Sequence, residues 1–240
     1  MKKINKKYLV FGIIGFIIIL IVVFIIKDDN YIVLFDDDSS MFKNEYEELN
    51  DKEDADGKIY PSVKINNNNI KYIDLNGILN ILYNGTAAIY IGYAECIYCR
   101  SAVQVLVDTA KKSELDHIYY LDISNIWDVV ELDDNGNIIT IQNAQAGYDK
   151  LLEELGDEYT EEYILKDKDN NDISVNERRV SVPLVIFVAN GDIVSSNVGT
   201  LFSQTDPYTP LDDDQVKGLS EIYSYGIRDV VNTLNDMKQN

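Results

Sequence analysis

Residues 86–100 read TAAIYIGYAECIYCR. Thr86–Tyr93 is an apolar run of strand length, of the kind buried within a sheet. Cys96-Ile97-Tyr98-Cys99 follows at once. From Cys99 onward apolar residues recur at Ala102, Val103, Leu106, Val107 and Ala110, the stripe of a helix packed on one face. The stretch therefore predicts a buried strand, a C-x-x-C pair at a helix start, and a helix. A cysteine in the first turn of a helix has its thiolate stabilised by the helix dipole and by free backbone N–H groups. Cys96 stands at that end and is expected to be the more exposed of the two. Cys99 lies one turn on, on the buried face and within reach of Cys96. The pattern makes Cys96 the candidate attacking thiol and Cys99 the candidate resolving thiol.

Other uses of the pair fit the chain less well. No second cysteine pair exists and His117 is the only histidine, so a four-ligand zinc site lacks donors. Arg100 stands where a haem-attachment motif needs histidine. A structural disulfide remains an alternative, although a four-residue ring restrains little of the unfolded chain.

Periodicity extends the reading in both directions. Upstream, Asp74 is placed to cap a helix with Leu75, Ile78, Leu79, Leu82 and Tyr83 on one face, ended by Asn84-Gly85. Val63–Asn66 reads as a short strand. Downstream, His117–Ile123 reads as a strand. Val129–Leu132 and Ile138–Ile141 flank Asp134-Asn135-Gly136, a hairpin signal. Tyr148, Leu151, Leu152 and Leu155 make a short helix closed by Gly156. Tyr163–Leu165 and Ile173–Val175 suggest a second hairpin about a polar turn. Asp167 to Asn171 resembles the start of a calcium loop, but Asp172 replaces the required glycine. Val182–Val188 is a strand with Pro183 at its start, turned by Asn190-Gly191 into Ile193–Ser196. A closing helix from about Asp213 has Val216, Leu219, Ile222, Tyr223, Ile227, Val230, Val231 and Leu234 inward. Trp127, the only tryptophan, suits either a core or a groove wall.

The ends of the chain carry charge information. Of 240 residues, 21 are Lys or Arg and 41 are Asp or Glu, a net −20. Lys2, Lys3, Lys6, Lys7 and Lys27 precede the first acid, Asp28. Residues 28–240 therefore set 16 basic residues against 41 acids, a net −25. This balance argues against nucleic-acid binding, which needs a basic surface. Tyr8–Ile26 holds 19 residues without a charge, about 28 Å as a helix and close to a bilayer's hydrocarbon core. A buried soluble helix and a removed signal peptide are the rivals, but Phe24 to Asp29 offers no small-residue cleavage site. The expected organisation is a cytoplasmic N-terminus at 1–7 and an uncleaved signal-anchor at 8–26. An acidic spacer with a short helix follows at 27–60, capped by Ser39/Ser40 and running through Asn50 with Phe42, Tyr46 and Leu49 on one face. The main domain spans 61–240. Lysines before the anchor place the N-terminus inside, so the expectation is a single-pass cell-membrane protein with its C-terminal domain extracellular, where disulfides persist.

From about Val63 to Leu234 the chain resembles the thioredoxin-like superfamily. The residues carrying the resemblance are YIGYAECIYCR at the end of a buried strand and VSVPLVIFVANGDIV. In pattern it is most similar to membrane-anchored Firmicute thioredoxin-like proteins of the bacteriocin transport accessory type. The resemblance implies an α/β thioredoxin-like fold, with an insertion at about 125–180 before the proline-led strand. It also implies that Pro183 is cis and sits beside the cysteine pair, with the Val182 backbone offered to an extended substrate. Val182, Pro183 and Tyr98 are thus the expected substrate-binding residues, and no cofactor or metal is implied. The implied function is thiol-disulfide exchange through Cys96 and Cys99 on exported thiol- or disulfide-containing proteins, with a membrane redox partner. The alternative is a non-catalytic accessory domain that binds an exported peptide. The chain departs from thioredoxins proper. Glu95 stands for their tryptophan, Ile97-Tyr98 for Gly-Pro, and Tyr90 at the spacing of their buried aspartate. No histidine lies between the cysteines, and Cys99 and Pro183 are 84 positions apart. A thioredoxin-like reduction potential is therefore not carried over.

Overall fold

A computed structural model describes residues 38–239. The expected segments 1–7 and 8–26, and the first part of the spacer, lie outside the described residues. Among the described residues no helix is long and apolar enough to cross a membrane.

The protein is mixed α/β. In chain order the elements are α1 (Asp38–Glu47), β1 (Ile70–Tyr72), α2 (Leu75–Asn84), β2 (Ala87–Gly92), α3 (Ile97–Ala110) and β3 (Ile118–Asp122). Then follow β4 (Val129–Leu132), β5 (Ile138–Gln142), α4 (Tyr148–Leu155), β6 (Thr160–Lys166), β7 (Asp172–Val180), β8 (Leu184–Ala189), β9 (Asp192–Val198) and α5 (Asp213–Gln239). Five strands form one sheet in the order β1-β3-β2-β8-β9. β3 runs parallel to both β1 and β2, whereas β8 runs antiparallel to β2 and to β9.

This order follows from hydropathy. All six residues of β2 are buried, and so are five of the six in β8, so these strands must lie inside the sheet with both faces covered. The β1-α2-β2 and β2-α3-β3 crossovers run in opposite directions along the sheet. The right-handed rule then puts their helices on opposite faces. Leu75, Ile78 and Leu82 of α2 do pack with Tyr148, Leu151 and Leu155 of α4 on the face carrying Ile89, Ile91 and Ile186. Residues of α1, α3 and α5 pack on the other face, against Ala88, Tyr90, Tyr120 and Phe187. Gly226 lets α5 lie close on β8, because a Cβ there would meet Phe187 Cδ2 at 2.1 Å.

Residues 129–180 add no strand to this sheet: they form the β4–β5 hairpin, α4, which packs on one of its faces, and the β6–β7 hairpin. Both hairpin turns use one device. Asp133 accepts hydrogen bonds from the Asn135 and Asn137 N–H groups and from Asn137 Nδ2, and Asp167 does the same for Asp169 and Asn171. The Asp167 carboxylate thus serves a polar turn.

Three expectations are corrected. Residues 38–60 are not a spacer: Phe42 and Tyr46 are fully buried in the main core. Their helix spans Asp38–Glu47 among the described residues, so Ser39 and Ser40 lie inside it, and it ends before Asn50. Val63–Asn66 is extended but joins no sheet. Its backbone is satisfied by side chains instead, with Val63 N–H donating to Asn50 Oδ1 (2.9 Å) and Ile65 N–H to Glu47 Oε1 (2.7 Å). Among the described residues the first strand is Ile70–Tyr72, which sequence patterning does not reveal. Val216, expected inward, is 40% exposed.

Replacing Phe42 with Ala should cost about 3–5 kcal/mol, as for a buried aromatic. A residue on a solvated spacer would change stability by no more than about 0.5 kcal/mol. Denaturant midpoints of the two proteins separate these outcomes.

Candidate functional site

β2 ends at Gly92, and Tyr93-Ala94-Glu95 turns the chain into α3. Cys96 is the N-cap of that helix, with extended backbone (φ −69°, ψ 115°). Its N–H donates to Tyr93 O at 3.3 Å and its carbonyl accepts from Arg100 N–H at 3.1 Å. Its sulfur accepts the Cys99 N–H at 3.1 Å. Cys96 and Cys99 form a disulfide with Cα atoms 5.0 Å apart. Cys96 is 9% exposed and Cys99 is fully buried, in the order the helix position predicts. A sulfur at this cap that becomes a thiolate already has an N–H donor and the positive end of a 14-residue helix beside it.

The antiparallel register brings β8 to the same end of the sheet. Ile91 pairs with Leu184, so Gly92 and Pro183 are neighbours across the ladder. The Val182–Pro183 peptide bond is cis. A Cβ on Gly92 would lie 3.0 Å from Cys99 Sγ, which sets the disulfide over this end of the sheet. Pro183 O accepts Gly199 N–H at 2.7 Å, and Ser181 N–H donates to Tyr159 O at 2.9 Å. Val182, between them, makes no hydrogen bond among the described residues and is half-buried, packing on both cores as Tyr93 does. Tyr98 is 37% exposed and Glu95 is exposed beside Cys96. The sequence-derived residues Cys96, Cys99, Val182 and Pro183 therefore gather at one end of the central strands β2 and β8, with Tyr98 on the surface of the first helical turn.

Three features were not read from sequence. Arg100, immediately after Cys99, is 1% exposed. Its guanidinium donates to Pro61 O (2.8 Å), Tyr46 O (2.9 Å), Ala94 O (3.2 Å) and Asn50 Oδ1 (2.7 Å). Among the described residues no carboxylate pairs with it, and burial pulls its pKa down. The four acceptors compensate a charge that would otherwise be costly to bury. In doing so they tie residues 46–61 to the loop that carries the disulfide. The second feature is a wall from the 129–180 region and its approach. Trp127 packs edge-on against Tyr93 with ring centroids 5.4 Å apart, and the Arg179 guanidinium lies over both Trp127 and Tyr163. Trp127 thus flanks the disulfide loop while packing against the core on one face of the sheet. The third is a pair of buried hydroxyls under the site, Tyr90 Oη and Tyr46 Oη, 2.7 Å apart. Only the position of Arg100 beside the motif, and of Arg179 four residues before Pro183, could have drawn notice in the sequence.

Among the described residues no group of three or more His, Cys, Asp or Glu side chains could hold a metal ion. The arrangement can do sulfur chemistry: a capped sulfur, a buried partner, and unpaired backbone at Val182 for an extended chain. Comparisons with protein-family models, with curated proteins and with solved structures return no match.

Arg100→Met keeps much of the stem but removes every donor. Two of its four acceptors, the Tyr46 and Ala94 carbonyls, are buried where the guanidinium reaches them, and at about 1–3 kcal/mol for each one left unsatisfied the unfolding free energy should fall by at least about 2 kcal/mol. Limited proteolysis should cut within residues 48–60 before the rest of the domain opens. An unchanged denaturation midpoint would contradict the role given to this side chain.

Proposed function

We propose that the protein is a membrane-tethered, extracytoplasmic thiol-disulfide oxidoreductase built on a thioredoxin-like fold. The observation that carries this reading is the Cys96–Cys99 disulfide at the start of α3, with the Cys96 sulfur as helix cap and Pro183 opening the neighbouring strand. The sheet order β1-β3-β2-β8-β9, with helices on both faces, supports the fold. The region 129–180 is the insertion before the proline-led strand.

The chemistry follows from the two sulfurs. Acting as oxidant, the disulfide is attacked at Cys96 Sγ by a substrate thiolate. The Cys96–substrate S–S bond forms, the Cys96–Cys99 bond breaks, and Cys99 leaves as a thiolate with the electron pair. A second substrate thiolate attacks the first substrate sulfur, forming the substrate disulfide and releasing Cys96 as a thiolate. Two electrons pass from substrate to protein, the protons of the substrate thiols go to solvent when they ionise, and the Cys96 and Cys99 thiolates take up protons according to their own pKa values. The same steps reversed reduce a substrate disulfide, and the direction follows from the reduction potentials of the partners. Val182 holds the substrate backbone in extended form and Tyr98 borders the approach. The lysine-flanked run Tyr8–Ile26 anchors the chain in the lipid bilayer, with the catalytic domain outside. Substrates are exported thiol- or disulfide-containing proteins, and a membrane redox partner resets the pair.

A second reading, a non-catalytic domain that binds an exported peptide, draws on the low exposure of Cys96. Trapping separates the two. In intact cells, Cys99→Ser should accumulate mixed disulfides through Cys96, resolved on non-reducing gels. Cys96→Ser should accumulate none, and a membrane-impermeant thiol reagent should reach Cys96 without lysis once the pair is reduced. Equal trapping by both variants, or none by either, removes the oxidoreductase assignment. Labelling only after lysis reverses the orientation.

A further inference from the structure

The two tyrosine hydroxyls beneath the disulfide hold one more proton than they use. Tyr46 Oη and Tyr90 Oη share a single hydrogen bond of 2.7 Å, and either can be the donor. Both residues are fully buried, and neither hydroxyl has another partner among the described residues. Two O–H groups and one shared bond leave one proton without an acceptor. Gly92 shows where it can go. A Cβ built on Gly92 would meet Tyr90 Oη at 2.6 Å and Cys99 Sγ at 3.0 Å. Hydroxyl and sulfur thus converge over the bare backbone of one glycine. In the disulfide this sulfur is a weak acceptor. Once the S–S bond breaks, Cys99 carries the electron pair in a site without solvent exposure, and a buried anion needs a donor.

We propose that Tyr90 is a second functional group of the redox site: Tyr46 donates its hydrogen to Tyr90, and Tyr90 donates its own to the Cys99 sulfur as that sulfur leaves as a thiolate. This rests on the oxidoreductase reading above. The Tyr90 O–H bond does not break. The attacking substrate thiolate's pair forms the new S–S bond to Cys96, Cys99 keeps the pair of the broken Cys96–Cys99 bond, and the hydrogen bond only stabilises the charge where it lands. Burial holds the phenols of Tyr90 and Tyr46 far above their ordinary value, so Tyr90 acts as a neutral donor and not as a base. Other groups face this pocket from every side. Glu45 on α1 accepts from the Tyr72 and Tyr120 hydroxyls. Tyr120 stacks on Tyr90 with centroids 5.3 Å apart, and Asp122 ends β3. Tyr223 on α5 has a buried hydroxyl without a partner. Cys96, Glu95 and Arg100 flank Cys99, and the guanidinium of Arg100 is engaged with backbone and Asn50. Glu45, Glu95 and Asp122 are acids that oppose a thiolate, whereas Arg100 and the N-terminus of α3 favour one.

The test is the pH dependence of the disulfide's equilibrium with dithiothreitol, measured on the detergent-solubilised full chain. The range runs from about pH 6 to about pH 9.5, spanning the ordinary thiol value of ~8.5. At the alkaline end Tyr90→Phe should shift the equilibrium toward the disulfide by about tenfold, a potential lower by about 30 mV. At the acidic end, where both sulfurs bind protons, the difference should nearly vanish. Tyr46→Phe/Tyr90→Phe leaves no hydroxyl orphaned and should behave as Tyr90→Phe does, so lost folding cannot mimic the result. Tyr223→Phe should match the native protein. A purely structural role for Tyr90 would shift the equilibrium equally at all pH values, and that outcome overturns the proposal, as does an effect reproduced by Tyr223→Phe. If the pair cannot be cycled in any variant, it is the oxidoreductase reading that fails. If it cycles with one common pH dependence, only Tyr90 loses its role.

Discussion

The burial of β2 along its whole length is the constraint from which the rest follows. A strand with no exposed residue must be hydrogen-bonded on both edges and covered on both faces. β3 and β8 supply the edges, α2 with α4 one cover, and α1 with α3 and α5 the other. The chain can leave such a strand only at the end of the sheet. The turn at Tyr93-Ala94-Glu95 therefore delivers Cys96 to the first turn of α3, and the antiparallel β8 brings Pro183 to the same place. No loop has to be positioned independently to assemble the site. It is a consequence of where one apolar strand stops.

The second organising element is Arg100. Surface ion pairs elsewhere in the domain are exposed and worth little, whereas this guanidinium is enclosed and bonded to four acceptors from three separate stretches of chain. It joins the disulfide loop to the 46–61 segment, and that segment supplies both Tyr46 and the Asn50 side chain that ties down Val63. The acidic stretch between the expected anchor and the domain is thereby converted into part of the site's floor. Above the floor, Tyr93, Trp127 and Arg179 bring the 129–180 region against the disulfide loop.

Sequence patterning revealed the elements whose signals are local. The helices α2, α3, α4 and α5 follow from apolar spacing and their end residues, the β4–β5 hairpin from Asp134-Asn135-Gly136, and β8 from its apolar run. The misses have physical causes. β1 is three residues long at a sheet edge and includes the exposed Lys71, so it carries no periodic signal. Val63 and Ile65 are buried like strand residues, but the side chains of Glu47, at the end of α1, and Asn50, just past it, satisfy their backbone, which only the folded arrangement decides. β6 and β7 extend beyond their apolar centres because Glu161, Glu162, Glu177 and Arg178 are exposed on a projecting hairpin. Of the site, the cysteines were legible from their C-x-x-C spacing at a helix start, and Pro183 from its place at the head of an apolar strand. Arg100 was not, since a lone cation after a motif ordinarily means surface. The meeting of Tyr46 with Tyr90 depends on packing between residues 44 positions apart.

The central claim is that Cys96–Cys99 is a working redox pair and not a structural staple. Its reduction potential tests this most directly, measured on the full chain by alkylation and mass spectrometry after equilibration with thiol–disulfide buffers. The account predicts a single reversible two-electron transition within the range spanned by working oxidoreductases, about −270 to −120 mV. A pair that stays oxidised until below about −300 mV, as structural disulfides do, would contradict it.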